Sequence, residues 1–178
     1  MPLNAAQAAR DILIDLIEGD ALRIADGSRL SGYVAMKGEL DPRPALLALE
    51  KRGCTILLPY TEARGRPLRF LEAPGGRASS QDAFGIAAPP ITAAEQDPDA
   101  LIIPLAAFDR RGYRLGYGGG FYDAALTRLR HTGRPVAIGW AYAAQEVDEV
   151  PVEPHDAPLD WIVTEREAIY ISATPASR

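Results

Sequence analysis

The sequence lacks three features that would assign it to a specialised class of protein. Its 178 residues include a single cysteine, Cys54, so neither a disulfide within the chain nor a cysteine metal cluster can form. Its formal net charge is −5, whereas proteins that bind nucleic acids usually carry a basic surface. No stretch approaches the length of a membrane span, and the N-terminal segment lacks the pattern of a signal peptide. We therefore expect a cytoplasmic protein that binds neither nucleic acid nor membranes.

Apolar segments alternate with helical patterns along most of the chain. The spacing of apolar residues predicts helices from about Asn4 to Glu18, from Pro44 to Gly53 and from about Phe121 to His131. Short apolar runs predict strands at LSGYVAM, CTILLP, PLRFLEA, ALIIPL, RPVAIGWAY, DWIVT and AIYIS. Such alternation is typical of a mostly parallel sheet that is covered by helices on both faces.

The domain organisation that we predict is simple. A chain of this length forms one domain with a hydrophobic core, here of the α/β class over residues 1–178. Between about residues 60 and 98 the sequence is rich in Gly, Ser and Pro and has few periodic segments. We interpret this part as an ordered, irregular surface excursion, and a mobile lid is the alternative.

The segment AFDRRGYRLGYGGGFYDAAL, residues 107–126, has the composition of an anion-binding loop. It leaves the carboxyl end of a predicted strand, where ligands bind in such folds, and it leads into a helix. Four glycines between residues 116 and 120 allow close approach of the main chain, and main-chain amides at a helix N-terminus attract anions. Arg110, Arg111 and Arg114 would add positive charge for a phosphate. The alternative is a glycine-rich surface turn without a ligand.

Two familiar phosphate motifs do not fit this segment. A P-loop requires Lys-Ser or Lys-Thr after its last glycine, and a dinucleotide motif requires a glycine where Phe121 stands. Asp123, in the first turn of the following helix, has two interpretations. It either compensates the helix dipole or provides a hard oxygen ligand for Mg²⁺ held beside phosphates.

The run PDALIIPLAAFDRRGYRLGYGGGFYD resembles the signature of the 5-formyltetrahydrofolate cyclo-ligase family. Two further blocks support the resemblance: VAIGWAYAAQEVDEVPVEPHDAPLDWIVTE at residues 136–165 and, more weakly, SGYVAMKGELDPRPALLALEKRGCTILLP at residues 31–59. The similarity extends from about residue 31 to about residue 166. It implies a three-layer α/β/α fold with a mostly parallel sheet, similar to the sugar-phosphate isomerase and CoA-transferase group.

The resemblance implies a ligase that consumes ATP with Mg²⁺. Its substrate would be a reduced folate, 5-formyltetrahydrofolate, which becomes 5,10-methenyltetrahydrofolate with release of ADP and phosphate. In this reaction the formyl oxygen is first phosphorylated, N10 then attacks the activated carbon, and phosphate leaves. Two other hypotheses stay open: a non-catalytic relative that binds folate or nucleotide, and an ATP-using enzyme that acts on another formylated compound. We expect a monomer or a homodimer.

The resemblance also implies roles for individual residues. The ATP loop would consist of Arg114, Leu115, Gly116, Tyr117, Gly118, Gly119, Gly120, Phe121 and Tyr122. Within it, Arg114 and Tyr122 would be catalytic, and the inner residues Tyr117, Gly118, Gly119, Gly120 and Phe121 would also border the folate. Glu39 would hold the pterin side of the substrate. Asp123 and Asp160 would bind Mg²⁺, with Asp156 as an alternative to Asp160.

The sequence departs from the family pattern at three places. Members of the family usually begin with a basic helix that contacts ATP, but Arg10 is the only basic residue before Arg23 and lies outside a matching motif. No ATP contact is therefore assigned to Arg10. Many members have a lysine where this chain has Gly119. In the middle region, FLEA and GIAAPP replace segments of the type F-R-x-W and G-I-x-E-P.

Overall fold

The computed structural model of this chain describes residues 4–36 and 38–172. Three α-helices pack against a seven-stranded sheet, and two short hairpins extend from it. The helices are α1 (Ala5–Glu18), α2 (Arg43–Lys51) and α3 (Phe121–Thr132). The strands are β1 (Arg29–Ser31), β2 (Thr55–Tyr60), β3 (Arg69–Glu72), β4 (Ser80–Gln81), β5 (Ala87–Ala88), β6 (Ala100–Pro104), β7 (Ala107–Phe108), β8 (Arg114–Leu115), β9 (Val136–Trp140), β10 (Trp161–Val163) and β11 (Ala168–Tyr170).

The main sheet has the strand order β11-β10-β9-β6-β1-β2-β3. Its five central strands run parallel to one another, and the two edge strands β11 and β3 are antiparallel to their neighbours. The carboxyl ends of the five central strands therefore meet at one edge of the sheet, where ligands bind in folds of this class. The predicted α/β class with a mostly parallel sheet is confirmed.

The helices cover both faces of the sheet, with α1 and α2 on one face and α3 on the other. In β6, Ala100 and Ile102 belong to the core cluster that contains α1 and α2, whereas Leu101 and Ile103 belong to the cluster that contains α3. Successive residues of a strand point to opposite faces, so these clusters are two layers on either side of the sheet. Burial of each such large aliphatic side chain stabilises the fold by about 1.5–3 kcal/mol.

The spacing of small and aliphatic residues explains the first helix. Ala5, Ala9, Leu13 and Ile17 of α1 are all buried and recur every four residues, so they form one stripe along the helix. The predicted ends of all three helices agree with the observed ends to within two residues. Within the described part of the chain, none of the helices is long and apolar enough to cross a membrane.

The first predicted strand is shorter in the structure than the sequence indicated. LSGYVAM predicted a strand over residues 30–36, but β1 ends at Ser31. At Gly32 a Cβ atom would lie 2.5 Å from the Leu46 side chain, so the main chain passes close beneath α2 and leaves the sheet. Residues beyond this point form the loop that carries Glu39.

The excursion after β2 contains one strand of the main sheet and a short hairpin. β3 pairs with β2, and β4 and β5 form a hairpin whose Ala88 packs against Tyr60 and Leu71. The segment FGIAAPP is extended only at its β5 residues, because Phe84 and Ile86 lie in the turn that closes this hairpin. This turn lies near the glycine-rich loop, which makes the excursion part of the site described below.

Candidate functional site

The glycine-rich loop lies at the carboxyl edge of the sheet. β6 ends at Pro104, the β7–β8 hairpin follows, and residues 116–120 then lead into α3. The Ala106 amide donates a hydrogen bond of 2.8 Å to the Leu115 carbonyl, which fixes the start of the loop beside the end of β6. Residues 115–120 are all exposed to solvent.

Two glycines of the loop have main-chain conformations that other residues rarely adopt. Gly118 has a φ of +85° and Gly120 a φ of +61°. A Cβ atom at either position would have no neighbouring atom within 4 Å, so open space rather than packing surrounds this main chain. The loop is therefore accessible to a ligand that approaches its amides.

The start of α3 adds further main-chain N–H groups that a ligand at the loop could reach. Gly120 is the residue before the helix, and it has no side chain with which to cap the first-turn N–H groups. These N–H groups point towards the exposed loop and carry the partial positive charge of the helix terminus. Together with the loop amides they form a site that favours an anion such as a phosphate.

Arg114 holds the two ends of the loop together. Its side chain is only 5% exposed, and its Nη2 lies 2.8 Å from Oδ1 of Asp123. Its Nη1 donates a hydrogen bond of 2.7 Å to the Ala157 carbonyl, and Asp123 Oδ1 also accepts from the Ala157 amide. The guanidinium is thus engaged with the protein itself, which indicates that Arg114 shapes the loop.

The other two arginines of the segment do not face the anion site. Arg110 pairs with Glu146 at 2.6 Å and with Glu167 at 2.7 Å. Arg111 pairs with Asp109 at 2.7 Å and with Glu149 at 2.9 Å. Both arginines, which we predicted to add charge for a phosphate, are thus paired with carboxylates of the surrounding loops in the structure.

Asp109 is the fully buried anchor of the β7–β8 hairpin. It accepts main-chain hydrogen bonds from Arg111, Tyr113 and Val150 in addition to the Arg111 guanidinium. Burial opposes its ionisation, but these hydrogen bonds outweigh burial and hold the pKa of Asp109 below its ordinary value. An ionised Asp109 therefore fixes the hairpin from which the glycine loop extends.

Glu39 reaches the glycine loop from the segment between β1 and α2. Its Oε2 accepts a hydrogen bond of 2.8 Å from the Met36 amide. Partial burial and then the adjacent Glu39 carboxylate raise the pKa of Tyr117. Burial and then Glu39 also raise the pKa of Tyr122, whereas Arg114 acts to lower it. Glu39 therefore lies close to Tyr117 and Tyr122.

Tyr33 supports the Glu39 loop from below. Its hydroxyl donates a hydrogen bond to the Leu40 carbonyl, and its ring is buried in the core. Burial is the main cause that raises the pKa of Tyr33, and the negative charge of Glu39 raises it further. Tyr33 stays protonated and keeps Glu39 oriented towards the glycine loop.

Asp160 lies at the opposite edge of the sheet. It immediately precedes β10, and its amide pairs with the carbonyl of Ala137, the second residue of β9. Its Oδ2 accepts a hydrogen bond of 2.7 Å from the Ala137 amide and lies 3.5 Å from Nη2 of Arg130. The structure therefore does not bring Asp160 next to Asp123, the other predicted Mg²⁺ ligand, because the Asp160 carboxylate lies at the amino ends of the strands and binds main chain.

Asp156, the predicted alternative to Asp160, is followed by Ala157, whose amide donates a hydrogen bond of 3.0 Å to Oδ1 of Asp123. Oδ2 of Asp156 accepts a hydrogen bond of 2.7 Å from the Glu153 amide and closes a local turn. Among the described residues there is no group of three or more His, Cys, Asp or Glu side chains that could hold a metal ion by itself. A cation at this edge would therefore need ligand oxygens from the phosphates it accompanies.

Phe84 was not predicted from the sequence as a site residue. It lies in the turn between β4 and β5, and its ring centroid is 6.3 Å from that of Phe121 at an angle of 60°. This is an edge-to-face contact between the excursion and the last part of the glycine loop. The signal that could have identified Phe84 is a large aromatic residue inside an otherwise polar, glycine-rich segment.

The mouth of the site has an unusually apolar rim. Large hydrophobic side chains that are exposed to solvent surround it on three segments: Met36, Phe84, Ile86, Leu115 and Tyr117. Tyr117 alone is 63% exposed. Exposed apolar side chains that cluster around polar groups are typical of a groove that binds a ligand.

Two concavities lie elsewhere on the described part of the chain. One, of about 440 Å³, is an open groove between α1 and α2, and the other, of about 320 Å³, lies at the amino ends of the strands. Arg43 of the first pairs with Asp41, and Arg29 of the second pairs with Asp99. Neither concavity contains residues of the glycine loop, so we place the functional site at the loop on the basis of its chemistry.

Comparison with known proteins shows which family the chain resembles. The sequence profile of the 5-formyltetrahydrofolate cyclo-ligase family matches residues 2–165. The chain is 34% identical over 137 residues to the 5-formyltetrahydrofolate cyclo-ligase of Escherichia coli K12, covering 74% of this chain and 75% of that protein. It is 33% identical over 161 residues to the Haemophilus influenzae protein of the same name, covering 88% and 83%.

A solved structure shares the fold. The NMR structure of 5,10-methenyltetrahydrofolate synthetase from Aquifex aeolicus superposes with a TM-score of 0.72 and 26% sequence identity. The similarity covers 97% of this chain and 84% of that one.

Proposed function

The chain belongs to the 5-formyltetrahydrofolate cyclo-ligase family, and we propose that its site consists of the glycine loop Arg114–Tyr122, the start of α3 and Glu39. The protein is a ligase of folate metabolism. It converts 5-formyltetrahydrofolate into 5,10-methenyltetrahydrofolate and uses ATP, which becomes ADP and phosphate.

ATP would bind with its phosphates on the glycine loop. The exposed amides of residues 116–120 and the uncapped N–H groups of α3 are the donors that this role needs. Phosphoryl transfer asks a protein chiefly to position its reactants and to neutralise charge, and fixed amides do both. Arg114 contributes by holding the loop closed through Asp123 and Ala157.

The folate would lie between Glu39 and the glycine loop. The carboxylate of Glu39 can accept hydrogen bonds from the N–H groups of the pterin, which orients the ring without a proton transfer. Tyr117, Phe121 and Tyr122 would border the folate on the loop side. Phe84 and Phe121 would add an apolar wall against the flat rings of the substrate.

The chemistry then follows from proximity. An amide-like formyl oxygen is a poor leaving group, whereas its phosphate ester is a good one. The formyl oxygen takes the γ-phosphoryl group of ATP, N10 attacks the activated carbon, and the C–O bond breaks as phosphate leaves. The Tyr122 hydroxyl, which stays protonated because burial and Glu39 raise its pKa, could donate a hydrogen bond to the developing charge.

A Mg²⁺ ion fits this site only as a companion of the nucleotide. Asp123 uses Oδ1 for Arg114 and Ala157, and its Oδ2 makes no hydrogen bond to another described residue. Mg²⁺ is usually held by one or two carboxylates together with substrate phosphates, so one carboxylate oxygen beside the loop is a sufficient protein contribution. When bound, the ion would neutralise phosphate charge during transfer.

The observation that carries the proposed site is the convergence of Glu39, Tyr117 and Tyr122 at the exposed glycine loop. The test is the ATP-dependent formation of methenyltetrahydrofolate, followed by absorbance, in the wild-type protein and in Glu39→Gln. We expect Glu39→Gln to raise KM for the folate by roughly tenfold or more, as for a lost charged hydrogen bond, and to leave KM for ATP nearly unchanged. An unchanged KM for the folate would contradict the placement.

We further propose that the protein works as a single domain in the cytoplasm, as a monomer or homodimer. A sheet whose two faces are both covered by buried side chains supports a single domain. Cys54 is a buried free thiol, which is typical of proteins in a reducing compartment. Size-exclusion chromatography with light scattering would determine the oligomeric state.

A further inference from the structure

The turn between β4 and β5 is organised by one buried carboxylate, Asp82. Its side chain is only 9% exposed, although the turn around it projects into solvent. Oδ1 accepts hydrogen bonds from the amides of Phe84 at 2.9 Å and Ile86 at 3.0 Å, and Oδ2 accepts one from the Thr61 amide at 3.3 Å. A short carboxylate that binds its own downstream amides fixes the turn in one conformation.

The same carboxylate attaches the turn to the sheet. Thr61 directly follows β2, so the Oδ2 contact ties the turn to the carboxyl end of a central strand. A second bond in the opposite direction, from the Ala83 amide to the Thr61 carbonyl, is 3.2 Å long. Asp82 therefore sets both the shape of the turn and its position relative to the edge where the site lies.

The side chains that Asp82 positions face the site. Phe84 remains 45% exposed even though its ring meets the edge of Phe121. Ile86, the other residue whose amide Asp82 binds, is also exposed. When an exposed aromatic side chain is held in place before a ligand binds, less conformational entropy is lost on binding.

We propose that Asp82 is a positioning residue for folate binding, because it fixes the turn 82–86 so that Phe84 stands against Phe121 beside the glycine loop. The inference rests on the proposed site and deepens it. Glu39 and the Asp82-bound turn both reach the loop from the β1 and β2 half of the sheet, so the turn borders the folate and not the nucleotide. Asp82 itself does not touch the substrate; its effect passes through Phe84.

A double-mutant cycle tests this route of action. The variants are Asp82→Ala, Phe84→Ala and the double variant, and the measured quantity is the Kd of 5-formyltetrahydrofolate without ATP, by calorimetry. We expect each single variant to raise the Kd by roughly five- to tenfold, the size of one aromatic contact. The Kd of the double variant should equal that of the weaker single variant, because both substitutions remove the same contact. The proposal would be overturned if the increases in Kd of the two single variants multiplied in the double variant, or if Asp82→Ala left the Kd unchanged.

Two further variants separate positioning from general destabilisation. Asp82→Asn keeps an oxygen for the Phe84 and Ile86 amides, so we expect it to restore at least half of the loss in binding free energy. Asp99→Ala is the matched control, because Asp99 also accepts a main-chain bond, from Arg29 at 2.8 Å, but lies at the amino ends of the strands. It should change the Kd by less than about twofold, as for a surface ion pair remote from a site.

Kinetics distinguish a failure of this inference from a failure of the proposed site. Asp82→Ala should raise KM for the folate by the same factor as its Kd and change KM for ATP by less than about twofold, since the nucleotide lies on the other side of the loop. Equal losses for both substrates would overturn the inference while leaving the site intact. A wild-type protein that makes no methenyl product would instead refute the site. If Asp82→Ala does not fold, Phe84→Ala alone tests the contact, and an unchanged Kd for the folate in Phe84→Ala would overturn the proposal.

Discussion

Arg114 and Asp123 form an ion pair of 2.8 Å across the glycine loop, with the arginine almost fully buried. The pair joins the residue before the loop to the first turn of α3, and the Ala157 backbone accepts from one partner and donates to the other. The contacts among Arg114, Asp123 and the Ala157 main chain, which we call the clasp, hold the two ends of the loop together. The loop amides remain exposed. This arrangement makes Arg114 a residue that shapes the proposed ATP site through contacts with the protein itself.

The clasp can be tested by removing one partner. Arg114→Ala leaves the Asp123 carboxylate and the Ala157 carbonyl without their donor, so we expect a loss of roughly 3 kcal/mol in the free energy of unfolding. Denaturant titration measures this quantity. The double variant Arg114→Ala/Asp123→Ala should lose clearly less than the sum of the two single variants, because the pair is coupled. Strictly additive losses would show that the two side chains do not act together.

Asp123 and Asp160 provide a direct test of the metal assignment. Asp123→Asn should reduce Mg²⁺-dependent kcat/KM by at least about tenfold to a hundredfold, since even indirect metal contacts contribute that much. Asp160→Asn keeps an oxygen for the Ala137 amide and should retain most of the activity, with a stability loss of about 1 kcal/mol. Titration of activity against Mg²⁺ concentration compares the two. A large loss of Mg²⁺ response in Asp160→Asn alone would contradict the geometry.

The sequence order already contained the information that separates Asp160 from the site. Asp160 comes immediately before a strand and the glycine loop comes after one, so in a parallel sheet they belong to opposite edges. A resemblance between sequence motifs carries no information about which edge of the sheet a residue occupies. The helices, by contrast, were predictable to within two residues, because their apolar spacing depends only on local sequence.

Other features of the site could not be predicted from local patterns. Phe84 contacts Phe121 from a turn that Asp82 binds, within a segment that has almost no periodicity. Arg110 and Arg111 looked like phosphate ligands, but their carboxylate partners are at least thirty residues away in sequence, apart from Asp109. Pairing over such distances is a property of the fold, and the composition of the loop does not reveal it.

The conformation of Gly118 gives a prediction about ligand entry. Gly118→Val places a branched side chain at a φ of +85°, where the main chain is strained by about 1–2 kcal/mol, and puts methyl groups where the phosphates would lie. We expect KM for ATP to rise by at least about tenfold, as for the loss of one good amide contact. Initial-rate kinetics measure the effect.

Gly27 is the matched control for this substitution. It has a φ of +82° and open space around it, but it lies before β1 at the opposite edge of the sheet. Gly27→Val should cost similar stability and leave KM for ATP unchanged. Equal increases of KM in both variants would mean that backbone strain, and not the position in the loop, is responsible.

The buried carboxylate of Asp109 predicts how acid affects the hairpin. Its pKa is lower in the folded than in the unfolded chain, so its contribution is present above about pH 4, the pKa of an unperturbed Asp, and is lost as the pH falls further. Asp109→Asn should therefore be less stable than the wild type at pH 7, and the difference should shrink towards pH 3. Urea unfolding at the two pH values measures this, and a difference that grows on acidification would contradict the assignment.

Amide hydrogen exchange with a non-hydrolysable ATP analogue and Mg²⁺ tests the central claim most directly, because it reports on the main-chain N–H groups that are proposed to bind phosphate. We predict slower exchange between residues 114 and 124, and a further slowing around Glu39 and the 82–86 turn when 5-formyltetrahydrofolate is added. Unchanged exchange in the glycine loop, with protection instead in the groove between α1 and α2, would contradict the account.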